Sequence, residues 1–201
     1  MAMPNTFRKV MPSGRDFNFA DPQPDMICLD DIVHCLARTN RWGGNIEPMS
    51  YSVAQHSLVT ASAVKRPASR VYALLHDAAE AYIGDLPTPF KLWVADAGAD
   101  IIGLEMRILY GAIFPALGIE PPSPEIAADV HDADQAALAT EFRDIVKGRN
   151  ESWSPKAPPL KTRIKFQPVV MVEDAIRAAL RGALQPYNDA AGRGQTNRGA
   201  A

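Results

Sequence analysis

The 201-residue sequence reads as one all-α domain of about five to seven helices. Apolar residues recur at helical spacing through most of the chain, and proline and glycine fall mainly between those stretches. Hydrophobic residues make up 47% and charged residues 22%, a balance that argues against wholesale disorder. A mass of 21.8 kDa favours one domain over two, with a core large enough to need neither disulfides nor structural zinc.

Residues 1–25 are broken by Pro4, Pro12, Pro22 and Pro24 and read as an extended segment, with a short hairpin signal around Ser13-Gly14. From Leu29 the residues Leu29, Ile32, Val33 and Leu36 mark a first helix, with Asp30 and Asp31 suited to its N-terminus and Gly43-Gly44 stopping it. A second helix covers Ser52 to Val64. The third starts near Pro67, presents Val71, Leu74, Leu75 and Ala78 on one face, and runs to Gly84. Leu86-Pro87-Thr88-Pro89 is expected to be irregular. A fourth helix runs from Asp100 to Leu117 with Ile101, Leu104, Ile108 and Leu109 inward.

Ser123-Pro124 supplies an N-cap and first residue for a fifth helix, whose stripe is Ile126, Val130, Ala133, Ala137 and Phe142 and whose end is Gly148. Residues 149–167 read as a proline-rich loop. The last helix, Pro168 to Leu180, packs Val169, Val172, Ile176 and Leu180. Residues 186–201 have little to bury and are expected to be a disordered tail. The folded domain therefore spans 26–185.

Lys and Arg number 21 against 23 for Asp and Glu, so the formal charge is -2. A general nucleic-acid binder carries a basic excess, so a nucleic-acid polymer is not the expected partner. Cys28 and Cys35 have the spacing of neither a redox CxxC pair nor a zinc finger, and read as small apolar residues. No apolar run approaches membrane-spanning length, and Met1 to Arg15 lacks a signal-peptide pattern; the expected location is cytoplasmic, with no membrane partner.

The four histidines are His34, His56, His76 and His131. His34 has no motif around it and reads as structural. In the third helix, His76 and Asp77 are adjacent, and Glu80 lies one turn on among small apolar residues. Burying three ionisable groups together is costly unless a cation or a hydrogen-bond network pairs with them. His56 stands in a second helix of small residues, and the fifth helix carries His131, Asp132 and Asp134 within a run that otherwise reads as core. Three helices thus deliver His or Asp at an apolar face, a donor set suited to several divalent ions. Asp132 is the alternative to Asp134, which is preferred for its Ala-Asp-Gln-Ala-Ala-Leu setting. His131 is either a neighbour of the cluster or a surface residue.

The order His56 … His76-Asp77 … Asp134 resembles the HD superfamily of metal-dependent phosphohydrolases. Asn40-Arg41-Trp42, Ser52-Val53-Ala54-Gln55-His56-Ser57, His76-Asp77-Ala78-Ala79-Glu80 and Gly84-Asp85-Leu86-Pro87-Thr88-Pro89-Phe90-Lys91 resemble the bacterial 5′-deoxynucleotidases in sequence and order. The resemblance implies an HD-domain helical bundle and a divalent ion (Co, Mn, Mg or Zn) held by His56, His76, Asp77 and Asp134. It implies that Glu80 handles the proton of the attacking water, Arg41 binds phosphate, and Trp42 favours deoxyribose. Arg38, one turn before Arg41, is a second cation able to reach an anion. Asp85 and Lys91 are implied at the mouth of the site. The activity implied is release of phosphate from deoxynucleoside 5′-monophosphates, by a homo-oligomer (a dimer or larger) acting on a small molecule. A deoxynucleoside triphosphate triphosphohydrolase and a catalytically idle nucleotide-binding protein are the alternatives.

Overall fold

A computed structural model describes residues 7–146 and 153–196. Pro4, Gly148 and the last residues of the predicted tail, 197–201, lie outside them. The molecule is an all-α bundle with one small hairpin at its start. Strands β1 (Arg8–Val10) and β2 (Asp16–Asn18) pair antiparallel, with Lys9 opposite Phe17. Part of the segment expected to be extended is therefore sheet, and Phe17 turns fully into the core. The buried Asp31 carboxylate ties this hairpin down by accepting from Ser13 N at 2.7 Å and Ser13 Oγ at 2.6 Å.

Helix α1 (Leu29–Arg38) buries Ile32, Val33 and Leu36 as its spacing predicts, but ends before the Gly43-Gly44 stop. A tight turn follows at Arg41–Gly44. Helix α2 (Val53–Ala63) is capped by Ser52, whose hydroxyl accepts from Gln55 N at 3.2 Å. It is buried nearly all round, at Val53, Ala54, Gln55, His56, Ser57, Thr60 and Ala61, and packs against α1, α3 (Arg70–Leu75), α8 (Pro124–Asp144) and α9 (Val169–Thr196). A helix buried all round sits at the centre of its bundle.

The expected third helix is divided. Regular α3 stops at Leu75, a tight turn carries His76 to Ala79, and α4 covers Glu80–Ile83. Thr88–Asp96 forms helix α5 where irregular chain is expected; Pro89 is tolerated in a first turn because its missing N–H has no intrahelical partner there. Helix α6 (Ile101–Met106) passes through a π-helical stretch, Arg107–Ile113, into α7 (Phe114–Ala116), all within the predicted fourth helix.

Helix α8 starts on its Ser123 cap and Pro124. Its buried Asp129 accepts the backbone N–H groups of Lys65 at 3.1 Å and Arg66 at 3.0 Å, fastening the α2–α3 link. Asp129→Asn replaces an acceptor by a donor facing a donor and is expected to cost about 1–3 kcal/mol, read as a lower urea midpoint. Helix α9 outruns its predicted end. Val172, Ile176, Leu180 and Leu184 are buried at four-residue steps, so packing carries the helix past Leu180, and it runs on through Pro186 to Thr196. The disorder expected from 186 is thus replaced by helix as far as Thr196, and Val169, placed in the packing stripe, is 38% exposed. Among the described residues no helix is long and apolar enough to cross a membrane.

Candidate metal centre

His56 is fully buried in α2, and His76 and Asp77 sit in the turn after α3. A regular helix bonds residues four apart and closes a turn every 3.6 residues. The turn instead tightens to bonds of the three-residue kind: Ala78 N donates to Leu75 O at 2.9 Å and Glu80 N to Asp77 O at 3.0 Å. Such winding nearly eclipses residues three apart, which stacks Glu80 above Asp77.

Each imidazole is oriented by its Nδ1. His56 Nδ1–H donates to Glu141 Oε1 at 2.5 Å, and His76 Nδ1–H to the Ala73 carbonyl at 2.8 Å. The two Nε2 atoms therefore face each other at 3.1 Å. Asp77 Oδ2 lies 3.2 Å from His76 Nε2, and Asp134 Oδ1 lies 3.0 Å from His56 Nε2 and 3.7 Å from His76 Nε2. Two nitrogen lone pairs at that separation repel unless a proton or a cation lies between them. One ligand atom from each of His56, His76 and Asp77 falls within 4.8 Å of the others, so this group could hold a metal ion. Asp134 reaches the same nitrogens from α8.

Burial opposes charge on both rings. Asp77 and Asp134 nonetheless hold His76 well above the ordinary imidazole range, and Glu141 with Asp134 raises His56 against burial and Arg41. Burial by itself would raise Asp77 and Asp134; the imidazoles instead hold both below the usual carboxylate range. The two imidazoles and two carboxylates thus hold one another in their charged forms, and the same donor set, once an ion displaces the ring protons, suits Mn, Co, Zn or Mg. Residues and ion fit.

Arg41 reaches the cluster from the turn after α1. Its Nε donates to Glu141 Oε2 at 3.1 Å and its Nη1 to Asp77 Oδ2 at 3.2 Å, with Nη2 3.9 Å from Asp134. Arg38, the other candidate, instead pairs with Glu173 at 2.6 Å on α9. Glu80 is 5% exposed, and its Oε2 finds no hydrogen-bond partner among the described residues. Burial first, then the Asp77 and Asp85 charges, push its carboxyl up to about 10. Asp85 is half-buried and raised by burial, against the pull of Arg41. Lys91 bridges Glu105 at 2.5 Å and Glu80 at 3.9 Å, with its side chain only 13% exposed. It therefore sits inside the wall of the site, where the sequence placed it at the mouth.

Asp132 turns outward, 66% exposed and paired with Lys65 at 3.6 Å, so Asp134 is the residue that meets the imidazoles. His131 is exposed, and His34 pairs with Glu173 at 3.7 Å on the surface. Glu141 and Glu105 have no place in the sequence reading. Glu141 is fully buried, and burial would raise it, but His56 and Arg41 hold it down as a carboxylate.

No family model matches the sequence. An uncharacterized protein of Rhodobacter capsulatus is 39% identical over 144 residues, covering 67% of this chain and 71% of that protein. The uncharacterized protein YfdR of Escherichia coli K12 is 32% identical over 143 residues, 70% of this chain and 74% of its own length. The chain belongs to their family. Family membership carries no assigned activity, so the chemistry rests on the side chains described above.

Proposed function

We propose that this chain is an HD-type metal-dependent phosphohydrolase that releases phosphate from deoxynucleoside 5′-monophosphates. The observation that carries the reading is the pair of Nε2 atoms 3.1 Å apart, flanked by Asp77 and Asp134. A divalent ion bound there would supply Lewis acidity to a phosphoryl oxygen and make water more acidic.

The chain's own groups do the rest. Arg41 commits Nε to Glu141 and turns its two terminal nitrogens toward Asp77 and Asp134, where phosphate oxygens would meet a planar, permanently charged fork. Glu80 is poised to hold or move a proton at its unpartnered Oε2. With its carboxyl pushed up to about 10 in the ion-free chain, it carries that proton at neutral pH and suits protonation of a leaving oxygen. Lys91 braces Glu80 from α5. Trp42 walls the site beside Phe142 and Trp153, with ring centroids 6.5 and 6.0 Å away, and is the group placed to meet the sugar.

The formal charge of -2 favours a small anionic substrate over a polymer. Cytoplasmic location and a homo-oligomeric state belong to the same proposal and rest on the resemblance. The test is phosphate release from dAMP, dTMP and dATP with Mn, Co or Mg. Phosphate from the monophosphates is the expected result. Tripolyphosphate from dATP instead would replace the reading by triphosphohydrolase, and nucleotide binding without turnover would replace it by a binding protein.

A further inference from the structure

Glu141 lies two turns along α8 from Asp134, on the same side of the helix. Its two oxygens do different work. Oε1 accepts from His56 Nδ1 at 2.5 Å, and Oε2 accepts both from Arg41 Nε at 3.1 Å and from Trp42 Nε1 at 2.9 Å. We infer that Glu141 is a positioning residue that fixes two things at once: which imidazole nitrogen His56 presents to the cluster, and where the Arg41-Trp42 segment sits.

The first function follows from donor chemistry. A carboxylate has only acceptors to offer, so His56 Nδ1 carries a hydrogen, and Nε2, which faces His76 and Asp134, is the nitrogen left to take an ion. The second follows from backbone strain. Trp42 has φ 60 and ψ 26, the left-handed region, and among the described residues no other non-glycine shares that sign of φ. Such a conformation persists only where surrounding contacts hold it. Here the contacts are the indole N–H on Glu141 and the rings of Phe142 and Trp153. Glu141 joins them to a histidine of the ion cluster through one carboxylate.

Glu141→Gln separates the two functions because an amide has one acceptor oxygen. Turned to His56, the side chain aims its NH2 at two other donors, Arg41 and Trp42. Turned the other way, it donates to His56 Nδ1 and drives the ring hydrogen onto Nε2, blocking the donor atom. Either orientation breaks one side.

The inference rests on His56 being an ion ligand as proposed above, but its test reads ion binding without any nucleotide. Mn2+ titrated calorimetrically into the wild-type protein and into Glu141→Gln should show an affinity loss of about 10–100-fold where the amide nitrogen faces His56. Where the amide oxygen faces His56 instead, the Trp42 indole N–H resonance, assigned with Trp42→Phe, should shift. Asp129→Asn, a buried carboxylate substitution on the same helix, should lose stability while keeping the Mn2+ affinity. Unchanged Mn2+ affinity and an unmoved indole resonance in Glu141→Gln overturn the inference, whether or not the wild type hydrolyses nucleotides. A change in either supports it even if no phosphate is ever released. The wild type offers a measurement that needs no variant: ring-15N shifts of the Zn2+-loaded protein should report His56 with hydrogen on Nδ1, and Nδ1 bound to the ion instead would overturn the inference.

Discussion

Glu80→Gln is expected to make the ion-free protein more stable while removing the hydrolytic activity proposed above. An unfolded glutamate titrates near 4.5, whereas burial with the charges of Asp77 and Asp85 pushes the folded Glu80 up to about 10. For a carboxyl raised on folding, the folded state holds the proton more tightly. Its contribution is therefore fully present below pH 4.5 and declines as pH rises toward 10. Near pH 8 the penalty is of order a few kcal/mol. Glutamine keeps the shape and has nothing to titrate. The melting temperature of the variant should match wild type near pH 5 and exceed it increasingly toward pH 9. Turnover in the presence of Mn2+ should fall by about 10²–10⁴, the usual worth of a proton-transfer group. A variant no more stable at pH 9 than at pH 5, relative to wild type, would refute the buried, proton-holding Glu80. Retained turnover would remove its catalytic role.

Arg41→Met should have the opposite effect on stability. The side chain is 13% exposed and its guanidinium lies against Glu141, Asp77 and Asp134; the charges of Glu141 and Asp77 foremost hold its proton firmly against burial. Removing it leaves the carboxylates facing each other without their cation. Breaking a buried pair in this way costs about 3–5 kcal/mol. Calorimetric melting of the ion-free variant should show the loss. Saturating Mn2+ should restore part of it, giving a larger rise in melting temperature than in wild type, because the ion then supplies the missing positive charge. Since hydrogen bonds to a charged group are worth about 1.5–3 kcal/mol, kcat/KM for a deoxynucleoside monophosphate should fall by about ten- to 150-fold. An ion-free Arg41→Met protein as stable as wild type would show that the carboxylates do not depend on Arg41.

The helical architecture and the heart of the cluster were legible because both are written in short-range pattern. Ile32, Val33 and Leu36 or Leu74 and Leu75 announce their faces by spacing alone, and His56, His76-Asp77 and Asp134 stand out as ionisable groups among alanine and leucine. Glu141 was not legible. Glu141-Phe142-Arg143-Asp144 reads as the charged end of a solvated helix, and only the return of Arg41 and Trp42 from a distant turn buries its carboxylate. The tightened turn at His76 escaped notice because its residues suit a regular helix equally well. The helix at Thr88–Asp96 was hidden by its own prolines, and the run of α9 past Pro186 by a polar composition that Leu184 outweighs. Propensity saw the breaks; packing decided otherwise.

Helix α8 meets the rest of the molecule at Asp129, Asp134, Glu141 and Asp144, the last holding Ile164 N at 2.9 Å and Arg163 at 2.6 Å. These four residues are fixed in angular phase along one rod. Adding or deleting a single residue between Asp134 and Glu141 would turn everything downstream by about 100°. Asp134 would still face the imidazoles, while the seat of Arg41-Trp42 and the anchor of residues 160–164 would rotate away together. Length can drift in the loops of this protein, but along α8 it is a dimension of the His/Asp cluster itself.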